Sequence, residues 1–107
     1  MTEPREILKF KIPFTKLPTF LEDNRLTLMT ECVGVCEELL YEDLEEIKLC
    51  DVSIQFPFGE TKIGISITKD NVLEALDKML EWSVEVEEYE LSHRIKLMQD
   101  FLKENEL

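Results

Sequence analysis

Cys32, Cys36 and Cys50 are the side chains of this sequence best suited to chemistry, and His93 is its only histidine. Cys32 and Cys36 stand four apart, which places them on one face if the segment is helical. A zinc site wants four ligands, usually with a tighter cysteine pair, and His93 lies far along the chain. The odd cysteine count argues against a disulfide framework. The three thiols read as reduced and buried, acting as small hydrophobes. His93 lies between Ser92 and Arg94. A general base needs a cleft and a partner to orient it, and neither is indicated there. Carboxylates are so numerous that no pair stands out as an acid/base dyad. No run of spaced Asp and Asn around a glycine ends in Glu, as a calcium loop requires. Gly34, Gly59 and Gly64 are the only glycines, too few and too scattered for a phosphate-cradling loop. The expectation is a chain that is not an enzyme, with no cofactor and no metal.

The distribution of charge says more than any motif. Residues 1–36 are neutral: Glu3, Glu6, Glu22, Asp23 and Glu31 balance Arg5, Lys9, Lys11, Lys16 and Arg25. The whole formal net charge of −12 therefore arises after residue 36. Two stretches contain no base, Glu37–Glu46 (EELLYEDLEE) and Glu81–Glu90 (EWSVEVEEYE). Such a surface repels phosphate backbones and anionic lipid heads and attracts basic protein surfaces.

These residues must be held by a fold that 107 residues, 44% of them hydrophobic, can build as one domain. Residues 5–12 (REILKFKI) alternate loosely through Ile7, Phe10 and Ile12 and read as an edge strand ended by Pro13. From Leu26 the apolar positions Met29, Val33, Cys36, Leu40, Leu44 and Ile47 follow steps of three and four, one helical stripe. Gly34 interrupts it; the alternative is a strand-like piece over 26–30 and a shorter helix over 35–46. Val52, Ile54 and Phe56 alternate with polar residues, as do Ile63, Ile65 and Ile67. With Pro57-Phe58-Gly59-Glu60-Thr61 between them, residues 51–68 read as a β-hairpin with one apolar face. Thr68 to Asn71 offer capping residues for a helix with Val72, Leu73, Leu76, Met79, Leu80 and Ser83 on one stripe. A last helix, from about 87 to 104, carries Leu91, Ile95, Met98 and Leu102. The short join between these two predicts an αα-hairpin packed on the β-hairpin, which is not stable alone.

Within that pair, Glu88-Tyr89-Glu90-Leu91-Ser92-His93-Arg94-Ile95-Lys96 resembles the UVR helical hairpin of bacterial nucleotide-excision-repair subunits and some stress regulators. That pattern runs acid–aromatic–acid, small residues, then basic–aliphatic–basic. Tyr89 matches the aromatic, Ser92 a small position, and Arg94, Ile95 and Lys96 the closing run. His93 stands where a second small residue is usual, and Leu97 replaces the acid that commonly follows. The resemblance covers residues 78–104 and implies a protein–protein contact hairpin with no chemistry of its own.

The sequence thus predicts a small α+β domain spanning 1–107. An antiparallel β-hairpin, with an N-terminal edge strand, packs against helices and ends in the helical hairpin at 78–104. Its expected role is that of an acidic, non-catalytic interaction module, an adaptor or inhibitor for a protein with a basic surface. Trp82, Glu85, Glu87, Glu88, Tyr89 and Glu90 are the expected partner-binding residues, with Glu37–Glu46 the other acidic face. A second reading is a nucleic-acid mimic of phage or mobile-element origin, blocking a DNA- or RNA-binding protein. A third is a small metal or thiol protein using the cysteines or His93. Direct nucleic-acid binding is not expected, because phosphates are neutralised by Lys and Arg clusters. With no apolar run of spanning length and no leader pattern, no membrane contact is expected and the location reads as cytoplasmic. Nothing in the sequence fixes an oligomeric state.

Overall fold

The computed structural model of the chain describes residues 7–105. Its architecture is α+β, a three-stranded mixed sheet covered on one face by helices. Strand β1 (Leu8–Pro13) leads through a 3-10 segment (Phe14–Thr19) and the short helix α1 (Phe20–Asp23) into α2 (Arg25–Tyr41). Strands β2 (Glu46–Phe56) and β3 (Gly59–Thr68) follow, and helices α3 (Val72–Glu85) and α4 (Tyr89–Glu104) complete the chain.

The hairpin at 51–68 is present and longer than its alternation suggests. Phe56 pairs with Gly59, so the loop is only Pro57-Phe58. Gly59 takes a φ of 150°, a conformation side-chain-bearing residues rarely adopt, and it closes this tight turn. At the other end β2 reaches back to Glu46, where the sequence suggested the tail of a helix. A register shift between Lys48 and Cys50 explains the disagreement. The extra residue, Leu49, breaks the two-residue period, so both Leu49 and Cys50 are buried and simple alternation is lost.

The edge strand is also real, but it starts at Leu8, and residues 5 and 6 lie outside the described residues. Leu8, Phe10 and Ile12 are its inward positions, in place of Ile7. It pairs parallel with β2, Phe10 opposite Val52. Parallel neighbours need a long crossover, here the 3-10 segment, α1 and α2. Phe20 anchors that crossover, its ring edge-on to Phe10 at 5.1 Å.

Helix α2 runs unbroken through Gly34 and stops at Tyr41. Its buried residues are Leu28, Met29, Cys32, Val33, Val35, Cys36 and Leu39. Projected on a helical wheel they span about 160°, and their centre is rotated by roughly 60° from the expected stripe. The cause is that α2 touches β2 on one side and α3 and α4 on the other, so two faces merge. Leu26 and Leu44, both assigned to the stripe, are exposed.

The helical hairpin is as expected. Val72, Leu76, Met79 and Ser83 of α3 and Leu91, Ile95 and Met98 of α4 are buried. Beneath their turn the Ser83 and Ser92 hydroxyls share a 2.6 Å hydrogen bond, and Ser83 donates to the Leu80 carbonyl. Arg94 of α4 grips Glu37 of α2 through Nε, at 2.9 Å, and Nη2. Asn71 does not cap α3 in the usual sense. It accepts from the Thr68 amide at 2.8 Å, and its own amide donates to Thr68 Oγ1.

One expectation fails at the hairpin. Ile63 and Ile65 were to lie in the core with Val52, Ile54, Phe56 and Ile67. They do face inward, opposite Val52 and Cys50, but remain 45% and 36% exposed, while Ser66 is half-buried. The helices cover β2 and the Ile67 end of β3 and stop short of its first half. No described helix is long and apolar enough to cross a membrane.

Candidate partner interface

Helix α3 ends in a Schellman motif built without glycine. The Glu88 amide donates to the Ser83 carbonyl at 2.8 Å and the Glu87 amide to Val84 at 3.2 Å. Glu87 is thereby held at a φ of 60°, a left-handed conformation that disfavours any residue with a Cβ. Helix α2 ends in the same way: Leu44 donates to Leu39, Asp43 to Leu40, and Asp43 has a φ of 53°. The two base-free acidic stretches are thus the two helix C-terminal turns, each with an acid at the left-handed position.

The turns differ in what answers their charge. At the end of α2, Asp43 accepts from Lys69 at 2.5 Å, and Glu45 lies 3.5 Å from the same ammonium. Lys69 holds the Asp43 carboxyl below its usual range, and its own ammonium is raised in return. Glu37 is engaged by Arg94. Much of 37–46 is therefore tied into the fold. At the α3–α4 turn Glu85 alone has a cationic partner among the described residues, Arg25 at 3.2 Å. Glu81, Glu87, Glu88 and Glu90 make no ion pair among the described residues.

Arg25 comes from the start of α2 and brings α1 with it. It also binds Glu22 at 2.5 Å, and a shallow cleft forms between Glu22, Asp23, Leu26, Val86 and Glu88. Leu26 is 53% exposed there and Tyr89, at the start of α4, is 62% exposed. The site is an apolar patch rimmed by carboxylates from two distant segments. Sequence reasoning located the α3–α4 half. It missed Glu22, Asp23 and Leu26, which sit in a locally neutral stretch some sixty residues away and carry no signal of their own.

Trp82 combines packing with a place beside the turn. It is half-buried against the core, and both Arg25, 5.4 Å from the ring centroid, and Lys78, at 5.6 Å, lie over the ring. These cations occupy the ring and help to screen the acids around it. Of the six expected binding residues, Glu85, Glu87, Tyr89 and Glu90 are exposed, Glu88 is half-buried, and Trp82 is linked to Glu85 through Arg25.

Of the other candidates for chemistry, the three thiols lie near one another in the core and His93 stands apart from them. Cys32, Cys36 and Cys50 are free and buried. The hydrogen bond with Cys32, and then burial, raise the Cys36 thiol, and burial raises Cys50. His93 lies exposed on α4. Among the described residues no group of three or more His, Cys, Asp or Glu side chains is placed to hold a metal. Compared with family models, curated proteins and solved structures, the chain matches none.

Proposed function

We propose that this chain is a small, non-catalytic interaction module whose α3–α4 turn presents an acid-rimmed apolar patch to a basic protein surface. The observation that carries the reading is Glu87. Glycine is the residue that costs least in its backbone conformation, and a cation is the charge that suits the end of α3. An unpaired carboxylate there serves neither need. Asp43 shares the conformation but is answered by Lys69, and it is the lack of such a contact at Glu87 that motivates a role outside folding. Glu88 and Glu90 have a partial structural reason, since they lie at the N-terminal end of α4, where its dipole favours anions. Glu85 has its ion pair with Arg25; Glu87 has neither. The resemblance of residues 78–104 to the UVR hairpin supports the same reading, because that motif is a contact hairpin.

The mechanism is steering followed by burial. The unpaired acids draw a basic partner in, and Leu26, Val86 and Tyr89 are then covered. The test is capture from a lysate of its own cells at low and high salt, using the wild-type chain and a variant with Glu85, Glu87, Glu88 and Glu90 all changed to Lys. The expected partner has a basic surface, is retained at low salt and is lost with the variant, whose circular dichroism is unchanged. Association should slow by about tenfold or more, as expected for charge reversal at an interface rim. Capture that ignores both salt and charge reversal would remove the basis of the proposal. A captured partner that itself binds DNA or RNA would favour the mimic form of the same idea.

A further inference from the structure

The sheet differs from the rest of the molecule in charge. Its three strands carry Lys9, Lys11, Lys48 and Lys62 against Glu46, Asp51 and Glu60, a balance of +1 in a chain of −12. β3 alone carries one acid and one base, Glu60 and Lys62. It is also an edge strand ten residues long, and no described element pairs with its second side. Exposed edges of this length are usually blunted by proline, bulges or charge. Here the only base is Lys62, which lies 3.9 Å from Glu60. Beside that open edge are the two under-covered isoleucines, Ile63 and Ile65.

We propose that β3 pairs antiparallel with β3 of a second copy across a two-fold axis at Gly64. The result is a six-stranded sheet and a homodimer, an interaction independent of the acidic turn. The second copy is the fitting occupant on two grounds. A chain of −12 is repelled by its own kind everywhere except where its charge is balanced, and β3 is such a place. The strand is also self-complementary. With Gly64 opposite Gly64, Ile63 of each copy meets Ile65 of the other, Lys62 meets Ser66 and Glu60 meets Thr68. No like charges oppose one another, and both isoleucines gain a β-branched cross-strand neighbour. A shift by one pair toward the turn sets Ile65 against Thr61. A shift the other way sets Glu60 against Asp70. Two-fold pairing closes on itself, so it ends at the dimer.

The test is sedimentation velocity of the full chain from about 1 to 100 μM, a range that brackets a dimer of moderate affinity. A concentration-dependent dimer is expected. Ile65→Lys, at a position already part-exposed, should return the chain to monomer with unchanged circular dichroism. Gly64→Cys should form a disulfide-linked dimer on mild oxidation, whereas Lys62→Cys should not. The native cysteines are buried and do not compete. A monomer throughout the range overturns the proposal, as does a dimer that Ile65→Lys leaves intact. Cross-linking at Lys62→Cys in place of Gly64→Cys overturns the register and with it the argument from the isoleucines.

Discussion

At the scale of single residues, Glu87 and Asp43 form a natural pair of controls. Both stand at the left-handed position of a Schellman turn, yet only Asp43 is repaid by a lysine. Replacing Glu87 with glycine relieves the Cβ penalty and removes an unfavourable charge from the end of α3. We expect Glu87→Gly to stabilise the fold by about 1 kcal/mol, read as a higher urea midpoint with an unchanged slope. A lower midpoint would show that the side chain supports the turn. Asp43→Gly should gain less, because the same change removes the Lys69 contact. This level was partly legible in the sequence. The acid run was visible, but not that its centre would be a strained turn, since left-handed geometry without glycine or asparagine has no compositional signature.

At the scale of elements, local periodicity was readable and long-range pairing was not. Residues 72–104 gave their two helices and most of their buried positions because each helix packs one face. The α2 stripe was misplaced because that helix serves two neighbours. Glu46 and Ile47 read as its tail although they open β2, because the bulge at Leu49 hides the strand period. The parallel partnership of β1 and β2 depends on a crossover, which leaves no trace in either strand's own pattern. What joins the elements can be tested at Arg94, whose two-pronged grip on Glu37 fastens α4 to α2. A guanidinium reaches both carboxylate oxygens and an ammonium does not. Arg94→Lys should therefore cost nearly as much as Arg94→Ala, about 1 kcal/mol for a part-exposed pair. Equal stability of wild type and Arg94→Lys, by urea titration, would reduce the contact to a generic charge pair.

At the scale of the whole molecule, charge is sorted by layer. The sheet is close to neutral, while the helices and their turns carry nearly all the excess acid. The two proposed contacts consequently respond to salt in opposite directions. Binding at the α3–α4 turn unites acid with base, so added salt screens an attraction. Pairing through β3 unites two chains of −12, so salt screens a repulsion and leaves the cross-strand packing intact. The screening length falls from about 10 Å at 0.1 M to about 3 Å at 1 M. Raising sodium chloride across that range should strengthen the homodimer by several-fold in sedimentation while weakening capture of the basic partner. The thermal midpoint of the Ile65→Lys monomer should also rise with salt, by a few degrees, as the like charges of the helical layer are screened. A homodimer that weakens with salt would mean that ion pairs hold it. The acidic turn of one copy would then be seated on the lysines of another, and the isoleucine edge would not be the contact.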